Sequence, residues 1–469
     1  MASSRKSTAK AKPEQGRSPS KLPHSDQYAS IGDPKAIGVA LSGGLDSVVL
    51  LHSIAQAYAA QKTRPAIYAF HIHHGLQKAA DDWLLFCQSF AEQCGAIFDF
   101  RLLHMDTQTE AGNMEARARV ARYEALVELC DYYAVDDLLL AHHQNDQAET
   151  VLLQLLRGAG VAGLSGMPVS RAIGSANITL WRPLLQLSRA ELEAYAREHE
   201  LVWVEDPSNR SSKYRRNAIR KSVLPKLEAI QPGATANLAR SADLLGQAQQ
   251  LLDRLALIDA KGIWEKKTGM LRSTPLLELA QSDRPAANNV LRYWLKTAGL
   301  VMPSFERLQA WWLDLQHARS DAQLEWEHDA CRIRLWRGLL QVDTSPTQDG
   351  NSPASGDWVF VPISGNSKKP GLPAEWVAEA KKAHAIEFKQ RAGSERLQCA
   401  EHGPRKTLKN LYQEHAVPPW QRQAPLLYIE GELIAVAGVG VSYPHLVAKG
   451  KRVLPEWRAL QAGVIPKTL

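Results

Sequence analysis

The segment LSGGLDSVVLLH, residues 41–52, places Ser42, Gly43, Gly44, Leu45, Asp46 and Ser47 between an apolar run and a helical one. Two glycines let a backbone turn tightly and come close to a ligand, and the amides that open the next helix point at an anion. Such a turn suits a phosphate; a tight strand-to-helix connection is the plain alternative. The spacing is not that of a Walker loop, whose G-x-x-x-x-G-K-S/T string and lysine are missing. Further along, HIHHGLQKAADDW brings His73, His74 and Gly75 to the carboxyl end of a second apolar run, the edge at which open α/β sheets bind ligands. In NMEARARVARYEAL, Arg119 and Arg122 lie three residues apart on one helix face, and a solvated basic face is the alternative. AHHQNDQAETVLL closes an apolar run with His142 and His143 and opens a helix with Asp146 and Glu149 one turn apart. Carboxylates there complement the helix dipole, and two of them beside a histidine pair also suit an ammonium group or a magnesium ion. Without H-E-x-x-H, a zinc-protease site is excluded.

These groups need elements to present them. From Ala36 onward the short runs IGVAL, AIYAFHI, AIFDFRLL, DLLLAHH and ITLWRPLL alternate with amphipathic stretches. That is the pattern of right-handed βαβ units and of a parallel sheet covered on both faces, so the fold class is α/β. SRAELEAYAREHEL opens on a capping box, Ser188 to Glu191. Residues 209–226 then carry Arg210, Lys213, Arg215, Arg216, Arg220, Lys221 and Lys226 and no acid, either a phosphate-contacting strip or a solvated basic loop. Long helical patterns occupy Gly233 to Trp336, and the adjacent Trp311 and Trp312 are expected in their core. DTSPTQDGNSPASGD, residues 343–357, is a linker or long loop. Beyond it LLYIEGELIAVAGV predicts a strand pair turning at EGE. The expected organisation is a basic tail (1–34), a nucleotide-binding domain (35–226), a helical domain (227–342), the linker (343–357) and a small mixed α+β domain (358–469).

Composition agrees with several packed domains. The chain has 469 residues, 45% hydrophobic and 22% charged, which excludes a single small module and wholesale disorder. No apolar run approaches the ~20 residues of a bilayer crossing. The net charge is +7, but residues 1–22 hold six bases and one acid, leaving about +2 for the rest, so overall charge is a weak pointer to nucleic acid. The cysteines Cys87, Cys94, Cys130, Cys331 and Cys399 form no C-x-x-C. They are expected as reduced thiols in a reducing, cytoplasmic compartment.

Taken in order, SGGLDS, HHGL, AR-x-x-RY over Ala118–Tyr123, HHQNDQAET, LLRGAGVAGL, RPLL-x-x-SR-x-EL, W-x-EDPSN over Trp203–Asn209 and RN-x-x-R over Arg216–Arg220 resemble the tRNA(Ile)-lysidine synthases. SGGLDS by itself resembles the pyrophosphate loop of the ATP pyrophosphatases. The segment GPRKTLKNLYQEHAVPPWQRQAPLLYIEGELIAVAG is similar to that family's terminal tRNA-contacting domain, with Arg405, Lys406, Lys409, Pro418, Pro419, Trp420 and Arg422 matching. The resemblance spans nearly all of residues 36–445 and fades in the middle helical region.

The resemblance implies an adenine nucleotide α-hydrolase-like catalytic domain that ligates free L-lysine to carbon 2 of the wobble cytidine of a CAU-anticodon tRNA(Ile). ATP would adenylate the base, with release of pyrophosphate and then AMP. It further implies that Ser42, Gly43, Gly44, Leu45, Asp46, Ser47, His73 and His142 hold ATP, with Asp46 also able to take Mg2+ or the incoming amine. Asp46, Arg119, Arg122, Asp146 and Glu149 would form the catalytic set, the carboxylates Asp146 and Glu149 taking lysine's ammonium groups and Arg119 or Arg122 lying near its carboxylate or the phosphates. Arg210, Arg215, Arg216, Arg220, Arg405, Lys406, Lys409 and Arg422 would contact tRNA. Oligomeric state is open, a homodimer among the options. A tRNA thiolase with the same loop, a small-molecule amide synthetase and an inactive tRNA-binding protein are the competing classes. The lack of C-x-x-C weighs against the first, and the basic segment and the intact loop against the others.

Overall fold

The computed structural model describes residues 31, 32, 34–59, 61, 64–73, 80–103, 114–173, 178–205, 215–318, 324–329, 331–343, 356–364, 367 and 369–459. His74, Gly75, Arg210, Lys213 and nearly all of the expected tail and linker lie outside them. Contacts divide the chain into two compact units, the first ending at Leu255 and the second starting at Ala256.

In the first unit, β1 (Ala36–Ala40), α1 (Leu45–Ala59), β2 (Ala66–His73), α2 (Ala80–Gln93), β3 (Ile97–Leu102), α3 (Met114–Tyr133), β4 (Asp137–Leu139), α4 (Gln144–Leu155), the single turn α5 (Val161–Leu164), β5 (Ser170–Ile173), β6 (Ile178–Trp181) and α6 (Arg189–Glu198) follow one another. The strands form one sheet in the order β3-β2-β1-β4-β6-β5. All neighbours are parallel except the edge strand β5, which pairs antiparallel with β6. The sequence pattern did not suggest β5, for a physical reason: it has four residues and only Ile173 is buried, so it has no alternation to read.

Side-chain alternation assigns the two faces. Ile37, Val39, Ala69 and Leu139 pack against α1, α2 and α6, whereas Phe70, Leu138, Leu140 and Leu180 pack against Tyr123, Leu126 and Leu129 of α3. Gly38 lies beneath Phe70, whose ring would stand 2.8 Å from an added Cβ. Chain order reverses between β1 and β4, and at such a switch point the loops leaving the carboxyl ends of the two strands open a crevice. After α6 come α7 (Arg215–Ala218), a π-helical turn (Ile219–Val223), α8 (Leu224–Ile230) and the long α9 (Ala234–Asp259).

In the second unit, α10 (Ser273–Ser282), α11 (Arg284–Thr297) and α12 (Phe305–His317) cover a sheet of β7 (Trp264–Glu265), β8 (Met270–Arg272), β9 (Leu324–His328), β10 (Cys331–Trp336) and β11 (Leu339–Asp343), ordered β7-β8-β11-β10-β9. The helices match the periodicity, and this antiparallel sheet is the addition to it. Trp311 and Trp312 are both buried, and Trp311 stacks on Trp326 with ring centroids 4.7 Å apart.

In the remainder, β20 (Arg452–Ala459) pairs on one side with β12 (Gly356–Ile363) and on the other with β13 (Leu372–Pro373). A second sheet joins β14 (Ile386–Lys389), β17 (Leu426–Ile429), β18 (Glu432–Val436) and β19 (Gly440–Val441), and β15 (Arg396–Leu397) pairs with β16 (Lys406–Thr407). Two helices, α13 (Ala374–Lys382) and α14 (Leu408–Glu414), complete it. The expected hairpin joins β17 to β18, with positive φ at Glu430 (53°) and Gly431 (81°), as a two-residue turn matched to strand twist requires. No helix among the described residues is long and apolar enough to cross a membrane.

Candidate active site

The loop after β1 is built around Gly43. Its φ is +82°, and a Cβ there would meet Cys87 Sγ and Val204 Cγ2 at 3.0 Å each, so glycine is required both for conformation and for space. The Gly43 carbonyl accepts a hydrogen bond from the Val204 amide (2.9 Å), which ties the loop to the segment following α6. Ser42 and Ser47 hydroxyls lie 3.0 Å apart, and Ser47 Oγ donates to the Gly44 carbonyl at 3.0 Å. Leu45 is buried as the apolar anchor of the turn. The neighbouring thiol of Cys87 is pushed up to about 12 by burial, which leaves it a packing group rather than a nucleophile.

Asp46, in the first turn of α1, faces the loop after β4. Its Oδ2 lies 3.6 Å from His143 Nε2 and 3.8 Å from Arg189 Nη1, while Oδ1 is buried with no hydrogen-bond partner among the described residues. His143 is the N-cap of α4. Its Nδ1 accepts from the Asn145 amide at 3.2 Å, and the Asp146 carboxylate accepts from the His143 amide at 3.1 Å. Asp146 therefore both caps its helix and contributes to the site.

Glu149, one turn on, is wholly buried. Its carboxylate and that of Asp146 are met by two guanidiniums from the basic segment. Arg216 donates to Glu149 at 2.7 Å and to Asp146 at 2.9 Å, and Arg220 donates to Glu149 and, at 3.2 Å, to Asp146. Arg216 lies on α7 and Arg220 sits in the π-helical turn, a local widening that recurs at functional sites. Arg215 is exposed. Of the basic run, then, the structure joins Arg216 and Arg220 to the carboxylates and leaves Arg215 at the surface.

The electrostatics follow from this arrangement. Burial alone would raise the Asp146 pKa, but His143, Arg216 and His142 outweigh it and hold the carboxyl at about 2. Burial would lower His143, yet its hydrogen bond to Asp46 and the charges of Asp146 and Asp46 bring the net shift upward. His142 goes the other way. Burial, with Arg182, Arg216 and Arg119, outweighs Asp146 and takes it down to about 3. Its Nδ1 is buried without a hydrogen-bond partner among the described residues.

The other anticipated residues are less closely gathered. His73, buried at the end of β2, sets Nε2 3.3 Å from Asp81 Oδ1. Arg119 lies over the Tyr123 ring, its Cζ 5.6 Å from the centroid, while Arg122 is exposed. In the second unit, Lys406 is bound to Glu414 (2.7 Å), and Arg422 donates to the Val417 carbonyl (2.8 Å) beside the Tyr412 ring. Arg405 and Lys409 are exposed. Pro418 is buried, and Trp420 stands under the Arg334 guanidinium (4.6 Å) and edge-on to Trp336. His143, Arg189 and Arg182 received no role from sequence reasoning. All three do stand in strings already singled out, His143 in HHQNDQAET and Arg182 and Arg189 in RPLL-x-x-SR-x-EL, and that was the available signal.

A pH dependence follows from His142. Between pH 6.5 and about 3 the unfolded chain binds a proton at this residue that the folded chain does not, so stability falls as pH is lowered through that window. We expect His142→Asn to flatten the urea-midpoint profile from pH 6.5 downward. An unchanged slope would assign the acid sensitivity elsewhere.

Comparison with known proteins places these features in a family context. Residues 21–227 match the model of a PP-loop domain, residues 275–341 that of the TilS substrate binding domain and residues 386–457 that of the TilS substrate C-terminal domain. The chain is 37% identical over 456 residues to the tRNA(Ile)-lysidine synthase of Burkholderia pseudomallei, covering 88% of this chain and 91% of that one. It is 39% identical over 426 residues to that of Ralstonia nicotianae (87% and 90% covered) and 38% identical over 418 residues to that of Pseudomonas aeruginosa (87% and 90%). Among solved structures it is similar to the U34-tRNA thiolase NcsA from Methanococcus maripaludis with its 4Fe-4S cluster, at TM-score 0.41 and 18% identity, over 47% of this chain and 78% of that one.

Proposed function

The chain belongs to the tRNA(Ile)-lysidine synthase family, and from that premise we propose how its residues carry out lysidine formation on tRNA(Ile). The observation that carries the reading is the juxtaposition, across the β1–β4 crevice, of the tight Gly43 turn with a buried carboxylate pair. One half suits a nucleotide and the other suits an ammonium.

The carbonyl oxygen on carbon 2 of the wobble cytosine is a poor leaving group. Its attack on the α-phosphorus of ATP expels pyrophosphate and converts the oxygen into an AMP ester. The ε-amine of free L-lysine then adds to carbon 2, and AMP departs with that oxygen. Residues 42–47 cradle the phosphates with amides and hydroxyls. Magnesium, when bound, would supply positive charge to offset that of the departing pyrophosphate. Asp46 fits it, because its unpartnered Oδ1 is available and magnesium is commonly held by one or two carboxylates plus substrate phosphates.

Asp146 and Glu149 receive lysine's ammonium groups. In the ligand-free chain Arg216 and Arg220 neutralise them, so an entering ammonium has to displace a guanidinium to reach either carboxylate. Free lysine's side chain has a pKa of about 10.4, so the ε-ammonium passes a proton to solvent water before its amine adds to carbon 2. With its pKa held at about 2, Asp146 is a fixed counter-charge rather than the acceptor. Labelled lysine should enter a tRNA(Ile) transcript bearing CAU and not one whose anticodon is changed. Equal incorporation into both, or none, would overturn the reading.

In the second unit, Arg405 and Lys409 are exposed whereas Lys406 and Arg422 are engaged within their own domain. Each phosphate that a cation no longer neutralises should flatten the log–log salt dependence of tRNA binding by roughly 0.7–0.9. We expect Arg405→Gln with Lys409→Gln to weaken tRNA binding and flatten that slope, and Lys406→Gln to do so less. An unaltered slope in the double variant would remove these residues from the tRNA surface.

A further inference from the structure

We infer that Arg119, Arg171 and Arg182, gathered round the ring of Tyr123, form an oxyanion pocket distinct from the phosphate loop, which receives either the carboxylate of the amino-acid substrate or a phosphodiester of the tRNA. The inference rests on the lysidine-forming reading. Strand register creates the cluster. Arg171 on β5 is paired with Leu180 on β6, and the Arg182 amide donates to the Val169 carbonyl, so Arg171 and Arg182 are diagonal neighbours on one face of the sheet. That face is covered by α3, which supplies Arg119 and Tyr123. The Cζ atoms of Arg119 and Arg171 lie 5.6 and 5.9 Å from the Tyr123 centroid.

Arg182 is 2% exposed and spends one Nη on the Pro168 carbonyl (2.7 Å). The Nε atoms of Arg119 and Arg182 are buried without hydrogen-bond partners, and neither residue has a carboxylate within ion-pair distance among the described residues. Burial and the charges of Arg171 and Arg119 together hold the Arg182 pKa down to about 10. Buried like charges kept this close are costly, and a planar guanidinium fork matches a carboxylate or a phosphate.

The placement separates this pocket from the ATP loop. Arg182 follows β6, and β4 lies between β6 and β1, so about 10 Å, two strand spacings, divide it from the Gly43 turn. His142, which follows β4, is acted on by the charges of Arg182 and Arg119 as well as by those of Arg216 and Asp146. A site with carboxylates on one flank and guanidiniums on the other complements a zwitterion, or an ammonium beside a phosphodiester.

The test uses the full chain with Arg182→Gln and, because Arg182 is buried, Arg171→Gln on the partly exposed edge strand as the variant retained if the first fails to fold. Lysine is compared with lysinamide, tRNA affinity is followed over a salt titration, and stabilisation of the chain against heat by inorganic phosphate is measured in parallel. The ATP requirement should stay within about twofold while one other substrate loses about tenfold or more, the loss of a charge-assisted hydrogen bond. A loss with lysine that lysinamide does not show identifies the carboxylate. A loss of tRNA affinity with a shallower salt slope identifies a phosphodiester. Folded variants with unchanged lysine and tRNA constants, or with ATP, lysine and tRNA weakened alike, overturn the pocket. If the unaltered chain forms no lysidine the functional reading fails by itself, and the pocket is then judged on phosphate stabilisation: lost in the variants it stands, retained it falls.

Discussion

Asp46→Ala should cut the transfer of AMP to tRNA by about a thousandfold, the upper range for removing one preorganised electrostatic group from a reaction centre, while leaving the fold intact. Three observations set this expectation. The carboxylate sits in the first turn of α1 beside the Gly43 turn, one of its oxygens is buried and unpartnered among the described residues, and the other faces His143. Its backbone is held independently, by the Ser42–Ser47 hydroxyl pair and the Gly43–Val204 hydrogen bond. Removing the side chain therefore takes away a charge beside the Gly43 turn and little packing. Pyrophosphate release with tRNA present is the direct readout, and thermal unfolding is the control. Release at the original rate would show that Asp46 does not act on the nucleotide.

Glu149→Gln should have the largest effect on stability, about 3–5 kcal/mol, because the change strips a buried ion-pair network of one partner. Glu149 is inaccessible to solvent, and two guanidiniums converge on it. A neutral amide in its place leaves Arg216 and Arg220 sharing Asp146 alone. The same variant should raise the lysine requirement far more than the ATP requirement, since the phosphate loop does not touch Glu149. Urea unfolding measures the first effect and initial rates the second. Adding Arg216→Gln to Glu149→Gln should recover part of the lost stability, as removing both members of a pair costs less than stranding one. No recovery in the double variant would mean that the pair is not coupled. Equal changes in the lysine and ATP constants would place Glu149 in a metal or scaffold role.

Much of this site was legible in the chain because its rules are local. A glycine pair between a strand and a helix has few conformations open to it, and Gly43 occupies the left-handed region such a turn demands. The capping box at Ser188 and Glu191 and the Glu430–Gly431 turn are likewise decided by residues within a few positions of one another. Short apolar runs separated by helical stretches were enough for the parallel sheet, since strands covered by helices on both faces are apolar almost throughout. The β5 edge strand and the sheet of the second unit were harder to see: short strands that bury few side chains leave little pattern.

What only the tertiary structure decided is which charges meet. A basic run such as RSSKYRRNAIRK has the same composition whether it lines a nucleic acid or neutralises carboxylates. Arg216 and Arg220 reach Asp146 and Glu149 across about 70 residues of chain, beyond any helical or turn periodicity. Arg171 and Arg182 become neighbours only through the β5–β6 register, and one residue of slip would send Arg171 to the opposite face. Residue type and spacing determined by themselves that this chain opens with a parallel-sheet domain that has a tight glycine turn after its first strand. The charge pairing in the crevice depends on distances that exist only after the chain has folded and water has been excluded, because burial makes each unpaired charge expensive and so makes the choice of partner matter.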